Sequence, residues 1–418
     1  MSKCRVSKDR LETIIDFGNI YLNNFVKEKN NNLERGKLRI GFSKKSKLVQ
    51  LLDTADQDKL YRQYWYRSGT NETMTNQLYD IVDNMSLWAE LKEDDIVLDI
   101  GCNDGTLLKR YDKYGKFFKV GIDPATNVVK EVKKQCDAHA VGFFSEKVFK
   151  KLVGNKKAKT ITSIAMYYDL DDPLKFTKDI FTCLDDKGIW ILQVSYTPLM
   201  INLNAFDNVI HEHIEYYTLT SIKKILDKCN FEIVDAQLND VNAGSLRIIA
   251  KKRNNKLKNT ASFIVEMGKI RLKSLLDFEK NLSYDKKSTF LKFKKRVDFQ
   301  KKKLVDLLKN LKKKKKKVYG YGASTKGNTL LQYYKINEDL ISGIAERQPQ
   351  KIGLKTVGSW IPIISEEEMR KIKPDYMLVL PWQFIHEFIR REKKYLKEGG
   401  KFIVPLPEVK IIGKEYIE

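Results

Sequence analysis

Residues 96–105, IVLDIGCNDG, followed by VGIDP at 120–124, constrain the fold more than any other stretch of this chain. An apolar run ends in Asp99, Gly101 and Gly105 bracket a tight turn, and a helix-like segment (TLLKRYDKYG) follows. A second apolar run then ends in another acid, Asp123. In a doubly wound α/β sheet the first strand-to-helix turn is rich in glycine so that backbone can approach a ligand closely. An acid at the tip of the second strand accepts hydrogen bonds from a ribose diol. The turn is not the dinucleotide fingerprint G-x-G-x-x-G. It reads D-x-G-x-x-x-G, and Asp99 ahead of the first glycine repels a pyrophosphate and suits the charged end of an amino-acid ligand.

At about 150 residues per domain, a chain of 418 residues predicts two to three units. The five cysteines (Cys4, Cys102, Cys136, Cys183, Cys229) are scattered without a C-x-x-C pair, which argues against a disulfide framework or a zinc cluster. The opening MSKCRVSKDR has no apolar core, and no run of 18 apolar residues occurs. A cytoplasmic setting with no membrane contact is the expectation.

The net charge of +24 raises nucleic acid as a partner. Its distribution argues against one, because residues 251–317 hold 25 Lys and Arg against 6 Asp and Glu, which is +19 of the total. Apolar residues in that segment recur at helical spacing: Phe263, Met267, Ile270, Leu275 and Phe278, then Phe293, Val297, Leu304, Leu307 and Leu308. Amphipathic helices with a solvated lysine face are expected, forming a basic helical connector. Attraction to an anionic partner such as a nucleoside diphosphate is the other reading.

Four parts are predicted. An amino-terminal lobe spans 1–75. Alternating strand and helix signals fill 76–250, with strands at 96–100, 118–123, 159–167, 187–195, 231–238 and 245–251, an order that suits a seven-stranded doubly wound sheet. The basic connector covers 251–317. A second α/β unit, 318–418, opens with VYGYGASTKGN and continues through LISGIAE, DYMLVLPW and KFIVPLP.

Three further constellations bear on chemistry. IHEHIEYYTL at 210–219 places His211 and His213, two of only four histidines, around Glu212. That pattern in a loop after the fifth strand points to proton transfer; metal binding is the lesser reading, for want of other clustered ligands. GYGASTKGN at 320–328 follows a strand and opens a helix, so Ser324, Thr325, Lys326 and Asn328 are candidates to hold an anion. It lacks the order of an ATP-hydrolysing P-loop. NAGSLRI at 242–248 offers Arg247, either to the cleft or to a surface pair.

The glycine turn resembles the first motif of the class I methyltransferases that use S-adenosylmethionine. The chain as a whole resembles the sugar C-methyltransferases that act on nucleotide-linked 4-keto-hexoses. The resemblance runs through DFGNIYLNNF (16–25), KLVQL (47–51), YWYRSGTN (64–71), DIGCNDGTLL (99–108), GIDP (121–124), HEH (211–213), NAGSLR (242–247), GYGASTKGNTLL (320–331) and LPW (380–382). It implies three parts: an amino-terminal zinc-binding region, a central Rossmann-like methyl-donor domain, and a second Rossmann-like domain that helps to hold the sugar nucleotide. Asp99, Gly101, Asn103 and Gly105 would lie under the methionine moiety, and Asp123 would take the ribose hydroxyls. Methylation is implied at a ring carbon beside the keto group, usually C3, with His213 as base and Glu212 beside it.

Two departures stand out. Where the family has two C-x-x-C pairs, this chain has Cys4 facing Ser7 or Lys8, and a second segment, IGFSKKSKL (40–48), without cysteine. One thiolate cannot hold a four-coordinate zinc, so no metal is expected. The family tyrosine ahead of HEH is Ile210, which leaves enolate stabilisation to His211, Tyr64 or Tyr66.

Three other functions compete with this one. O-methylation of a related sugar needs the same two binding sites and a base. A nucleic-acid methyltransferase is disfavoured because AMYYDLDDP (165–173) lacks [DNS]-P-P-[YF] and no cysteine follows a proline. A non-catalytic nucleotide-sugar binder is disfavoured by HEH standing beside an intact glycine turn.

Overall fold

The computed structural model of the chain describes residues 2–22, 24–56, 60–62, 66–255, 257 and 260–417. The run that ends in Asp99 forms the strand Ile96–Ile100, buried along its whole length. A continuous apolar run of this kind belongs to a parallel strand covered on both faces. It lies at the centre of a seven-stranded sheet ordered Phe231–Asn239, Ser245–Lys252, Leu184–Ser195, Ala158–Ile164, Ile96–Ile100, Phe118–Asp123, Ala138–Val141. Ser245–Lys252 is antiparallel to both of its neighbours, and the five strands from Leu184–Ser195 to Ala138–Val141 pair in parallel. Chain order reverses at Ile96–Ile100, and the crevice of a doubly wound sheet opens at the carboxyl ends of the strands there. Six of these strands were expected. The seventh, Ala138–Val141, is a short, half-exposed edge strand with no apolar run to announce it.

The second α/β unit repeats this plan. Its sheet is ordered Ile363–Ser365, Ile344–Glu346, Val318–Tyr321, Tyr376–Val379, Lys401–Val404, Lys410–Ile412, parallel except at the last strand. Its switch point lies at Val318–Tyr321, directly before the GASTKGN turn.

The amino-terminal sheet pairs Glu12–Tyr21, Arg35–Phe42 and Val49–Leu51, and takes its fourth strand, Glu215–Tyr216, from just after HEH. Phe25–Val26 pairs with Lys355–Thr356 of the carboxy-terminal unit. The amino-terminal residues therefore bond to both Rossmann-like units and anchor the HEH loop between them.

The basic segment forms two helices, Ser262–Asn281 and Lys287–Lys313. The first lies along Phe231–Asn239, where a Cβ at Gly268 would come within 2.2 Å of Val234 O. Leu272, Leu275 and Leu276 pack beside that contact, whereas Phe263, Met267 and Ile270, expected on the apolar face, are exposed. The close approach at Gly268 rotates the helix so that glycine, not the larger side chains, meets the sheet. Glu279 fixes the far end by accepting from Tyr196 Oη at 2.7 Å and Thr220 N at 2.8 Å. The second helix buries Phe293, Val297, Leu304 and Leu308 as expected, in the core shared by the amino- and carboxy-terminal parts. Each such side chain contributes roughly 1.5–3 kcal/mol. Its lysines face solvent, and Leu307 is half-buried. Among the described residues no helix is long and apolar enough to cross a membrane.

Candidate active site

Gly101 and Gly105 adopt φ of 71° and 79°, the left-handed region that glycine enters without strain. Between them Asn103 N donates to Asp123 Oδ2 at 2.8 Å, and Ala125 N donates to Asp123 Oδ1 at 2.8 Å. The acid at the tip of the second strand thus sets the shape of the turn. The Asn103 side chain accepts from Ser68 N and donates to Tyr66 O, each at 3.1 Å, which ties the 66–70 stretch over the turn. Asp99 accepts from Thr162 Oγ1 at 2.6 Å, and burial pushes its carboxyl up to about 7. Burial also raises Asp123. All five residues expected to hold the donor either line one cavity or shape its edge.

That cavity, about 1190 Å³, runs from the glycine turn past HEH to the GASTKGN turn of the second unit. His213 stands on its wall. Its Nδ1 lies 2.9 Å from Asn208 O. A carbonyl only accepts, so in the neutral ring Nδ1 carries the hydrogen and Nε2 keeps its lone pair. Burial, then the nearby Lys326 ammonium, hold the ring well below its usual value, at about 3, so it is neutral. The Tyr168 ring packs 4.4 Å from the imidazole, centroid to centroid. Glu212 also lines the cavity. Its Oε1 accepts from Asn24 Nδ2 at 3.3 Å, its backbone oxygen accepts from Tyr61 Oη at 3.0 Å, and burial raises its carboxyl.

Several expected residues lie elsewhere. His211 does not reach the cavity; it is buried against the amino-terminal sheet beside Ile20, Gly36 and Asp53. A spacing of two keeps side chains together only in an extended strand, and 210–212 is a bend. Arg247 points away from the cleft: Nη1 pairs with Asp80 at 2.7 Å and Nε donates to Gln193 at 3.1 Å. Asn328 is buried and donates to Asn24 O at 3.2 Å, a bond between elements and not a cavity contact. Ser324 and Thr325 line the cavity, although Ser324 Oγ is engaged as a helix cap on Gly327 N. Tyr66 lines it on the side of the glycine turn and is 37% exposed. Tyr64 falls outside the described residues.

Lys326 lines the cavity with Ser324 and Thr325 and makes a contact the sequence did not suggest. It reaches the HEH loop, where Nζ donates to Asn208 Oδ1 at 2.5 Å. Burial lowers its pKa, and the nearby Asp207 and Asp169 partly oppose that shift. The spacing in HEH and GASTKGN carries no signal for this meeting. Sequence reasoning also missed Tyr61, Tyr168, Asn208 and Asp169. Asp169 is buried with Oδ1 unpartnered, and burial raises it well above the carboxylate range. It stands in AMYYDLDDP at the end of the fourth strand, beside the switch point, and that position was the available clue.

The zinc that the resemblance implies can be tested against the residues present. Cys4 and Ser7 stand opposite Ser43 and Ser46, the places of two C-x-x-C pairs. Cys4 Sγ lies 3.1 Å from Ser46 Oγ, and Ser7 Oγ lies 3.1 Å from Ser43 Oγ, which donates to Asp9 Oδ1 at 2.8 Å. Val6 N and Ser7 N both donate to Cys4 Sγ at 3.4 Å, and Ser46 N donates to Ser43 Oγ at 3.1 Å. Hydrogen bonds close the knuckle. Three hydroxyls and one thiol are a poor donor set for zinc, and among the described residues no group of three or more His, Cys, Asp or Glu could hold a metal.

Comparison with known proteins bears on this arrangement. Residues 70–236 match the family model described as a methyltransferase domain, and residues 240–407 match that of the C-methyltransferase C-terminal domain. The C-methyltransferase NovU of Streptomyces niveus is 26% identical over 369 residues, 88% of this chain and 86% of that one. Solved structures similar to it include an S-adenosylmethionine-dependent methyltransferase from Clostridium acetobutylicum, with 13% identity, a TM-score of 0.34, and coverage of 44% of this chain and 94% of that one. Another is the 1,6-didemethyltoxoflavin-N1-methyltransferase of Burkholderia thailandensis with bound S-adenosylhomocysteine, with 14% identity, a TM-score of 0.34, and coverage of 44% and 81%.

Proposed function

We propose that this S-adenosylmethionine-dependent C-methyltransferase acts on a nucleoside-diphosphate 4-keto-deoxysugar, methylated at the ring carbon beside the ketone, C3. The observation that carries this reading is the single cavity joining the glycine turns of two Rossmann-like units, with HEH between them. At about 1190 Å³ it exceeds the roughly 300–1,000 Å³ of a one-ligand cleft. It suits a methyl donor on one side and a nucleotide-bearing substrate on the other.

Asp99, Gly101, Asn103 and Gly105 hold the methionine end of the donor, and Asp123 its ribose. When bound, the donor supplies an electrophilic methyl group on a sulfonium. The remaining work falls to the chain's own residues. A hydrogen on carbon is acidic enough to remove only beside a carbonyl that takes up the charge. His213 Nε2 accepts that proton, with Nδ1–H held on Asn208 O so that the free lone pair keeps its direction. Glu212, whose carboxyl burial raises, lines the same wall. Asp169 Oδ1 is free to accept from a sugar hydroxyl.

Labelled S-adenosylmethionine incubated with a panel of nucleotide-linked keto-sugars and their reduced counterparts, read by mass spectrometry, tests the reading. Label on carbon of a 4-keto sugar supports it. Label on oxygen, or on a sugar lacking the ketone, overturns it.

A further inference from the structure

We infer that Lys326 is the electrophile of the reaction: its ammonium, held beside HEH by Asn208, receives the substrate's keto oxygen and stabilises the enolate. This rests on the enolate reading above and assigns a role that reading leaves open, since Ile210 has no donor and His211 does not reach the cavity.

One residue sets both reacting groups. Asn208 accepts from His213 Nδ1 through its backbone oxygen at 2.9 Å and from Lys326 Nζ through its side chain at 2.5 Å. A base and a cation fixed on the same residue, both lining one cavity, are placed to act on neighbouring atoms of one substrate. Nζ has three hydrogens and Asn208 takes one, so donors remain for an oxygen. The backbone of Lys326 is fixed by the Ser324 cap, with Gly327 N on Ser324 Oγ at 3.0 Å and Asn328 N on Ser324 O at 2.8 Å. The same helix is moored to the amino-terminal lobe through Asn328 and Asn24, and Asn24 also holds Glu212.

The surroundings argue against a diphosphate at this lysine. Nζ is buried and already bonded to Asn208 Oδ1, and a standing dianion brought into such a place loses its hydration. A single negative charge that forms only during the reaction, on an oxygen that enters neutral, suits the place. As His213 Nε2 takes the proton, the C3–H electron pair becomes the C3–C4 double bond and the carbonyl pair moves to O4. The ammonium meets that oxygen by hydrogen bonding and keeps its own proton. When C3 forms its new bond to the methyl carbon, the sulfonium S–C bond breaks with its electron pair left on sulfur as a neutral thioether, the carbonyl returns and the charge on O4 is gone. Preorganised donors of this kind are worth roughly 10²–10³ in rate.

Lys326→Met and Lys326→Gln test the role. The readouts are kcat, KM and the exchange of the C3 hydrogen for solvent deuterium with S-adenosylhomocysteine bound. Calorimetric binding of S-adenosylhomocysteine on the same preparations reports that each variant is folded. The expected result is a loss of about 10²–10³ in both exchange and kcat for Lys326→Met, with KM and donor-product affinity within about threefold. Lys326→Gln, which keeps an N–H without the charge, should fall between Met and wild type. Wild-type exchange that persists undiminished in both variants overturns the role of Lys326 alone, as does a raised KM with unchanged kcat, the signature of a phosphate contact. No exchange in the wild-type enzyme with any keto-sugar nucleotide overturns the enolate reading and this inference together.

Discussion

The backbone carbonyl of Asn208 lies 2.9 Å from His213 Nδ1, and this bond decides which ring nitrogen is free for chemistry. A histidine without such a partner samples both tautomers, and part of its neutral population then has a hydrogen where a lone pair is needed. Asn208 sits only five residues ahead, so the base and its orienting group belong to one loop. That loop is clamped at its far end by the pairing of Glu215–Tyr216 with Val49–Leu51.

The first prediction concerns pH. Burial and Lys326 hold His213 down at about 3, so the ring stays neutral and able to accept a proton far below the usual histidine range. The kcat/KM profile of the wild-type enzyme should therefore show no loss of activity from this base on acidification through pH 6.5. In Lys326→Met the positive neighbour is gone, the pKa of His213 rises, and an acid limb moves up toward neutrality. Besides Lys326, the Asn208 carbonyl and the buried Tyr168 ring stand against the imidazole, and neither carries a charge. A profile that is identical in the two enzymes contradicts the electrostatic link.

The donor site has a pH signature of its own. Burial pushes Asp99 up to about 7, so a fraction of the free enzyme holds it protonated near neutrality. An ammonium brought against it favours the carboxylate, and its pKa falls on binding. Binding should release protons between about pH 6 and 8, and affinity should rise with pH through that window before levelling. Calorimetry of S-adenosylhomocysteine in buffers of different ionisation enthalpy measures the release. Asp123→Ala should weaken the same binding by about 10- to 150-fold, the worth of charge-assisted hydrogen bonds of roughly 1.5–3 kcal/mol.

Arg247 is predicted to matter for stability and not for substrate. Its side chain is 7% exposed and bonded to Asp80 and Gln193, away from the cavity. Arg247→Ala should cost about 1–3 kcal/mol, visible as a lowered Tm, with KM for either substrate unchanged. A raised KM at unchanged Tm would return this arginine to the cleft.

These placements show what the sequence could and could not disclose. The glycine turn, Asp123, the central sheet and the second α/β unit were legible because each is written in contiguous residues: an apolar run, a turn, an acid at a set distance. Ala138–Val141 was not legible, since a half-exposed edge strand of four residues carries no periodic signal. His211 and His213 look equivalent in sequence, and only the bend between them sends one to the amino-terminal sheet and the other to the cavity. Lys326 was read as a phosphate ligand because a glycine-rich turn before a helix suggests one. Its meeting with Asn208 depends on how two distant units dock, and nothing local encodes that. Phe263, Met267 and Ile270 mark the limit of helical periodicity, which finds a stripe but not which side a close glycine contact selects.

The amino-terminal knuckle gives a prediction independent of catalysis. With Ser7, Ser43 and Ser46 beside Cys4, metal analysis of the purified protein should find zinc well below one equivalent. Replacing the three hydroxyls together, Ser7→Cys, Ser43→Cys and Ser46→Cys, should create a four-thiolate site that takes up zinc, or cobalt with its visible thiolate absorption. Stoichiometric zinc in the unaltered protein contradicts the hydrogen-bonded knuckle.

The central claim is that His213 removes a hydrogen from the carbon beside a ketone. It is tested most directly by incubating the wild-type enzyme and His213→Asn in deuterium oxide with a nucleotide-linked 4-keto-sugar and S-adenosylhomocysteine, and following the sugar by mass spectrometry and NMR. The account predicts one deuterium at C3 with the wild-type enzyme. With His213→Asn it predicts exchange and turnover slowed by about 10²–10⁴, while S-adenosylhomocysteine still binds. Exchange that survives undiminished in His213→Asn, or methyl transfer by the wild-type enzyme without loss of that hydrogen, would contradict it.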